Sequence, residues 1–129
     1  MIYREIEPQA HLKPFIMKYW TFALEGKTKV DADGYRDHHF LPDGCLNLVV
    51  FKDHGHNVMR LSGPQLVNYT VRVHKHIYYM GIRFHPATIE ALFDVKASDL
   101  IGKNIDPTPL MPPEIVETLF IGYDRNNNA

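Results

Sequence analysis

From Ile2 to about Ile105 the apolar residues alternate with polar ones or gather into short β-branched and aromatic runs. From Asp106 onward the pattern turns helical and is punctuated by proline. The first pattern predicts a β-rich body over residues 1–105, and the second a helical extension of the same domain over residues 106–129. Strands are expected at Phe15–Leu24, Tyr35–Leu41, Cys45–Lys52, Val58–Leu61, Leu66–Val73 and Ile77–Phe84. Pro42-Asp43-Gly44 suits a tight connection, because Pro presets φ, Asp favours the next turn position and Gly accepts positive φ. A hairpin is therefore expected between Tyr35–Leu41 and Cys45–Lys52. A total of about seven strands suits an antiparallel sandwich or barrel.

Two helices are expected behind these strands. Pro86 can open the first, since its missing N–H would be unpaired in a first turn anyway, and Ile89, Leu92 and Phe93 then share a face. Pro112 and Pro113 precede the second, Glu114–Tyr123, whose stripe is Ile115, Val116, Leu119 and Phe120. Ile115, Leu119 and Phe120 are expected to be buried, either on the β body or across a two-fold interface. The fold class is α+β, mainly antiparallel β-barrel or sandwich followed by short C-terminal helices.

A chain of 129 residues with 45% hydrophobic content matches one ordinary domain. Its 14 basic and 15 acidic side chains leave a net charge of −1, so it lacks the cationic footprint that phosphate backbones require. Cys45 is the only cysteine, which excludes an internal disulfide, and no signal-peptide pattern opens the chain. A cytoplasmic location is the expectation, and no apolar run approaches the roughly twenty residues needed to span a bilayer.

Three segments in order carry a family resemblance: Tyr3-Arg4-Glu5-Ile6 with Pro8, Leu12 and Tyr19-Trp20; Leu41-Pro42-Asp43-Gly44-Cys45 with Asn47-Leu48-Val49; and Gly81-Ile82-Arg83-Phe84-His85-Pro86. With Gly63-Pro64-Gln65 between the second and third, the pattern resembles the N-terminal domain of a group of AraC-type bacterial transcription regulators. The resemblance implies a domain that senses a small-molecule effector or dimerises, while helix-turn-helix units at the back of such regulators contact DNA. It also implies a cupin-like β-barrel with helices behind it. A homodimer is expected, with no cofactor and no enzymatic activity. The competing class is a small cupin-like enzyme that binds metal through its histidines.

That second class draws on eight histidines, notably His38-His39, His54-x-His56 and His74-x-His76. A His-x-His pair on a strand places both imidazoles on one face, but a cupin site also needs a carboxylate a few residues on. The matching positions hold Arg60 and Leu61 after the first pair and Met80 and Gly81 after the second, so these histidines read as a solvated polar face. Cys45, leading an apolar strand, reads as a small buried residue and not as a nucleophile.

Arg83 is the more informative charge. It shares a strand face with Tyr79 and Gly81, opposite Tyr78, Met80, Ile82 and Phe84. A guanidinium there needs a partner, either an internal carboxylate such as Asp43 or the acidic group of a ligand. Trp20, Asn47 and Tyr79 join it as ligand-binding candidates, because each brings a flat or polar surface to a strand position that can face an interior; ordinary core packing is the simpler account of each. With balanced charge and no basic recognition helix, the chain is predicted not to bind duplex DNA specifically. A gel-shift titration checks this: no sequence-specific, salt-resistant complex is expected.

Overall fold

The computed structural model describes residues 2–40 and 44–127. Among them are the strands β1 (Ile2–Ile6), β2 (Ile16–Ala23), β3 (Tyr35–Phe40), β4 (Leu46–Asp53), β5 (His56–Ser62), β6 (Tyr69–His74), β7 (Tyr79–Phe84) and β8 (Asn104–Ile105). Two α-helices, α1 (Pro86–Phe93) and α2 (Pro113–Asn127), complete the chain together with short 3-10 turns. The strands form a six-stranded antiparallel sheet of order β1-β2-β7-β4-β5-β8 and a separate antiparallel pair, β3-β6. The architecture is thus α+β, and the large sheet does not close into a barrel.

The hairpin expected across Pro42-Asp43-Gly44 is not formed: β3 pairs with β6, whereas β4 lies between β7 and β5. Residues 41–43 lie outside the described residues. The reason is in the strands. β4 carries Leu46, Leu48 and Val50 on one face and Asn47, Val49 and Phe51 on the other, so it removes most apolar area from water in the middle of a sheet. β3 carries exposed Arg36, Asp37 and His39 and fits a two-stranded cover. The true hairpin is β4-β5, closed by His54 and Gly55 between the paired residues Asp53 and His56. Both turn residues have positive φ, 48° and 84°, the backbone that matches the right-handed twist of a two-residue hairpin.

One face of the large sheet builds the main core. Leu46, Leu48 and Val50 of β4, Met59 and Leu61 of β5 and Phe84 of β7 pack there with Ile89 and Phe93 of α1 and Tyr123 of α2. Each fully buried leucine contributes about 1.5–3 kcal/mol. Three of them on adjacent strands therefore fix which face of β4 and β5 turns inward, since a one-residue slip would expose all three. β2 changes face at a register shift between Ile16 and Lys18, so Ile16 meets Phe84 in the core while Lys18 pairs with Arg83 on the other side.

Pro86 opens α1, and His85 before it is extended, as the residue preceding proline prefers. The Phe15 carbonyl accepts bonds from the His85 amide and the Thr88 hydroxyl at 3.2 and 3.0 Å. His85 Nε2 donates to the Lys13 carbonyl at 3.1 Å, which ties α1 to the start of β2. Gly63 and Pro64 receive the segment after α1 through Gly63 N–H to Lys103 O and Gly102 N–H to Pro64 O.

Three sequence expectations meet the observed exposures. Leu92 is exposed on α1, because an eight-residue helix lying on a sheet buries only the Ile89 and Phe93 side. The strand expected from Leu66 starts only at Tyr69, and Leu66 and Val67 before it are exposed, since the chain is there crossing from one sheet to the other. Ile115, 48% exposed, is not buried on the β body, because α2 turns Val116, Leu119 and Phe120 to the core and is anchored about two turns later by Tyr123; the two-fold alternative for Ile115 is untouched by this. The Tyr123 hydroxyl donates to the Tyr78 carbonyl at 2.7 Å, and Lys52 reaches Asp124 at 2.8 Å. Tyr123→Phe keeps the packing but leaves that carbonyl without its donor. A loss of about 1–2 kcal/mol, with an unchanged denaturant slope, is expected in urea unfolding.

Candidate ligand-binding cavity

The opposite face of the large sheet is the floor of a cavity of about 810 Å³, and the β3-β6 pair covers it. Strand alternation places the floor. On β7, Tyr79, Gly81 and Arg83 turn toward the cavity, while Met80, Ile82 and Phe84, with Tyr78 just before the strand, pack into the core. This is the division expected from the sequence. Cross-strand register then aligns Trp20 with Gly81, Gly81 with Val49 and Val49 with Arg60 in one row. A second row runs from Arg83 to Asn47, Ser62 and Asn104, and a third joins Tyr3, Phe22 and Tyr79.

Gly81 is required by this arrangement. A Cβ there would lie 1.9 Å from Trp20 Cε2, so the indole lies across the bare backbone of β7. Crossing it brings Trp20 Nε1 to Asn47 on β4, where it donates to Oδ1 at 3.0 Å. Tyr3 stands beside the indole with ring centroids 6.2 Å apart. The cover contributes His38 and Phe40 of β3, which meet Phe22 at ring distances of 5.1 and 6.4 Å, and Val73 of β6.

Arg83 points into the cavity, with its side chain 23% exposed. Its Nη2 donates to the Tyr3 hydroxyl at 3.1 Å, and Nη1 lies 4.0 Å from Glu5 Oε2. The carboxylate named from the sequence, Asp43, lies outside the described residues; the described one beside Arg83 is Glu5. Tyr79 is held at the other end, where its hydroxyl accepts the His74 amide at 3.2 Å. Burial raises the Tyr79 phenol above its ordinary value, partly offset by that hydrogen bond.

The structure thus brings Trp20, Asn47, Tyr79 and Arg83 to one cavity. Residues that the sequence reading did not single out stand with them. Phe22, Val49 and Phe51 were accessible to simple parity, two or four residues from a chosen candidate. Tyr3 was not, because its contact with Arg83 joins positions 80 apart.

A family model described as "Domain of unknown function (DUF6597)" matches residues 4–106. The chain belongs to the DUF6597 family. Comparison with curated proteins and with solved structures gives no match. The matched region of this DUF6597 domain covers every wall of the cavity from β2 to β8 and most of β1.

The histidines divide by role. His74 accepts the His76 amide at Nδ1 and donates from Nε2 to the Asp33 carbonyl, at 3.1 Å each, so one nitrogen serves the β6-β7 turn and the other the loop before β3. Its ring lies 5.3 Å from His54 and 5.6 Å from His76. Among the described residues no three His, Cys, Asp or Glu side chains are grouped to hold a metal ion. Cys45 is half-buried, with Sγ 3.3 Å from Met17 Sδ. His38 faces the cavity, and its pKa is lowered by burial first and then by repulsion from His39 and Arg36.

Two outcomes follow. Gly81→Ala must push the indole off β7 and break its bond to Asn47, which should cost about 1–3 kcal/mol in denaturant unfolding. Trp20 is the single tryptophan, so its emission should shift to the red in the same variant. For His38, a folded-state pKa below the ordinary value of 6.5 means that its contribution is fully present above pH 6.5 and is lost as pH falls through the folded value. The melting temperature should therefore fall between about pH 7 and about pH 5, and His38→Phe should flatten part of that fall.

Proposed function

We propose that this DUF6597 domain is the small-molecule-sensing and dimerising domain of an AraC-type transcription regulator, and not an enzyme. The observation that carries the reading is the cavity between the two sheets, into which Trp20, Asn47 and Arg83 from the resemblance segments converge. It combines an aromatic and aliphatic lining with a few convergent polar groups, the composition of a small-molecule site. The two facing sheets are the cupin-like element of this reading, in an open form.

The same strands connect the cavity to the helices. Arg83 faces the cavity while Phe84 packs beneath α1, and Tyr79 faces it while the carbonyl of Tyr78 holds Tyr123 of α2. An effector that shifts β7 is transmitted to both helices. On α2, Ile115 and Ile121 are 48% and 45% exposed on helix faces about 120° apart, and the proposed two-fold contact would use one of these faces. DNA would be contacted by helix-turn-helix units and not by this β-rich domain.

A thermal-shift screen of small metabolites, read in parallel by Trp20 emission and by light scattering, tests the reading. An effector at one hundred times its Kd should add about 2.7 kcal/mol of stability, move the emission and change the dimer fraction. Stoichiometric metal in untagged protein, with no compound moving either signal, would favour the metal-enzyme class instead.

A further inference from the structure

We propose that the cavity's ligand is an amphipathic carboxylate, its anionic head held by Arg83 and the Tyr3 hydroxyl and its apolar body lying along Phe22, Tyr79 and Phe51. The proposal rests on the sensory reading above and adds the ligand's chemical class.

The cavity floor is graded in polarity. The row of Arg83, Asn47, Ser62 and Asn104 is polar throughout, whereas Phe22 and Tyr79, four residues from Lys18 and Arg83 along their strands, are aromatic and packed on Phe51 and Phe40. Four residues of strand cover about 13 Å, the length of an acid with a ring or a chain of several carbons. A sugar would set many of its hydroxyls against the rings of Phe22 and Phe51, and a hydrocarbon would leave the polar row without partners. A molecule with one polar and one apolar end matches both.

The head is assigned to Arg83 because its guanidinium lies inside the cavity, mostly shielded from solvent, beside a phenolic hydroxyl. A planar fork of five N–H donors matches a carboxylate with two oxygens, and shielding makes such a charge-assisted pair stronger than on the surface. Among the described residues, Glu5 is an internal competitor. At 4.0 Å from Nη1 it sits at the outer limit of an ion pair, and it is 41% exposed, so a ligand carboxylate can take its place at little cost. The ligand is thereby recognised by exchange of one carboxylate for another.

The test titrates 3-phenylpropanoate and octanoate, each against its own amide, with glucose as a neutral polar probe. Trp20 emission and melting temperature are read in the parent, in Arg83→Gln and in Glu5→Gln. At least one acid should bind ten-fold or more tightly than its amide. That preference should vanish in Arg83→Gln and rise in Glu5→Gln, where one competing carboxylate is removed. Should Arg83→Gln fail to fold, the opposite-signed effect of Glu5→Gln decides alone. Equal binding of acid and amide, or a preference unchanged by Arg83→Gln and Glu5→Gln, overturns the proposal. Saturable Trp20 shifts with glucose or an amide, in the absence of any acid preference, overturn the ligand class while supporting the sensory reading. If neither acid binds, this proposal falls; if the wider metabolite screen is also silent, the sensory reading falls with it.

Discussion

The Trp20 indole lies across strand β7 at Gly81 and donates its N–H to Asn47 on β4, so a single side chain spans three strands of the sheet. The cavity depends on this contact. Without a bare backbone at position 81 the indole would stand up into the space between the sheets and fill it. Without an acceptor at position 47 a half-buried indole N–H would lose its hydration unreplaced. The large, flat residue is therefore laid down as a floor, and the volume above it stays open beneath the β3-β6 cover.

The same strands serve two environments. β4 and β7 alternate, with apolar side chains toward the helices and a mixed aromatic, aliphatic and polar set toward the cavity. A rigid, close-packed layer on one side gives the other side a fixed geometry, since moving a cavity residue means moving the core residue next to it. The cover has no such backing. β3 and β6 hydrogen-bond to one another, expose Arg36, Asp37, His39 and Thr70, and meet the floor through a few rings and Val73. An arrangement of firm floor and light cover fits the sensory role proposed above.

The segments Gly81–Pro86 and Gly63–Gln65 each combine several tasks in a few residues. In the first, Gly81 accommodates the indole, Ile82 and Phe84 pack in the core, Arg83 enters the cavity, His85 ties back to Lys13, and Pro86 starts α1. In the second, Gly63 and Pro64 dock the segment after α1, and the Gln65 side chain donates to the Gly63 carbonyl. Such segments are conspicuous in a sequence because every position is constrained by a different neighbour.

By itself the sequence determined the local and periodic features: the β-rich body with helices behind it, the opposite faces of β7, the opening of α1 at Pro86, and Trp20, Asn47, Tyr79 and Arg83 as residues worth placing together. These follow from period-two alternation, proline geometry and the cost of burying charge, all of which act within a few residues. Tertiary structure alone decided that β3 leaves β4 for β6, that the sheet stays open, and that Arg83 meets Tyr3 and Glu5. Those outcomes compare pairings between distant strands, and the comparison is settled by total buried area and register across the sheet. A turn signal such as Pro42-Asp43-Gly44 states that the chain reverses, but carries no information about which strand it will find on the other side.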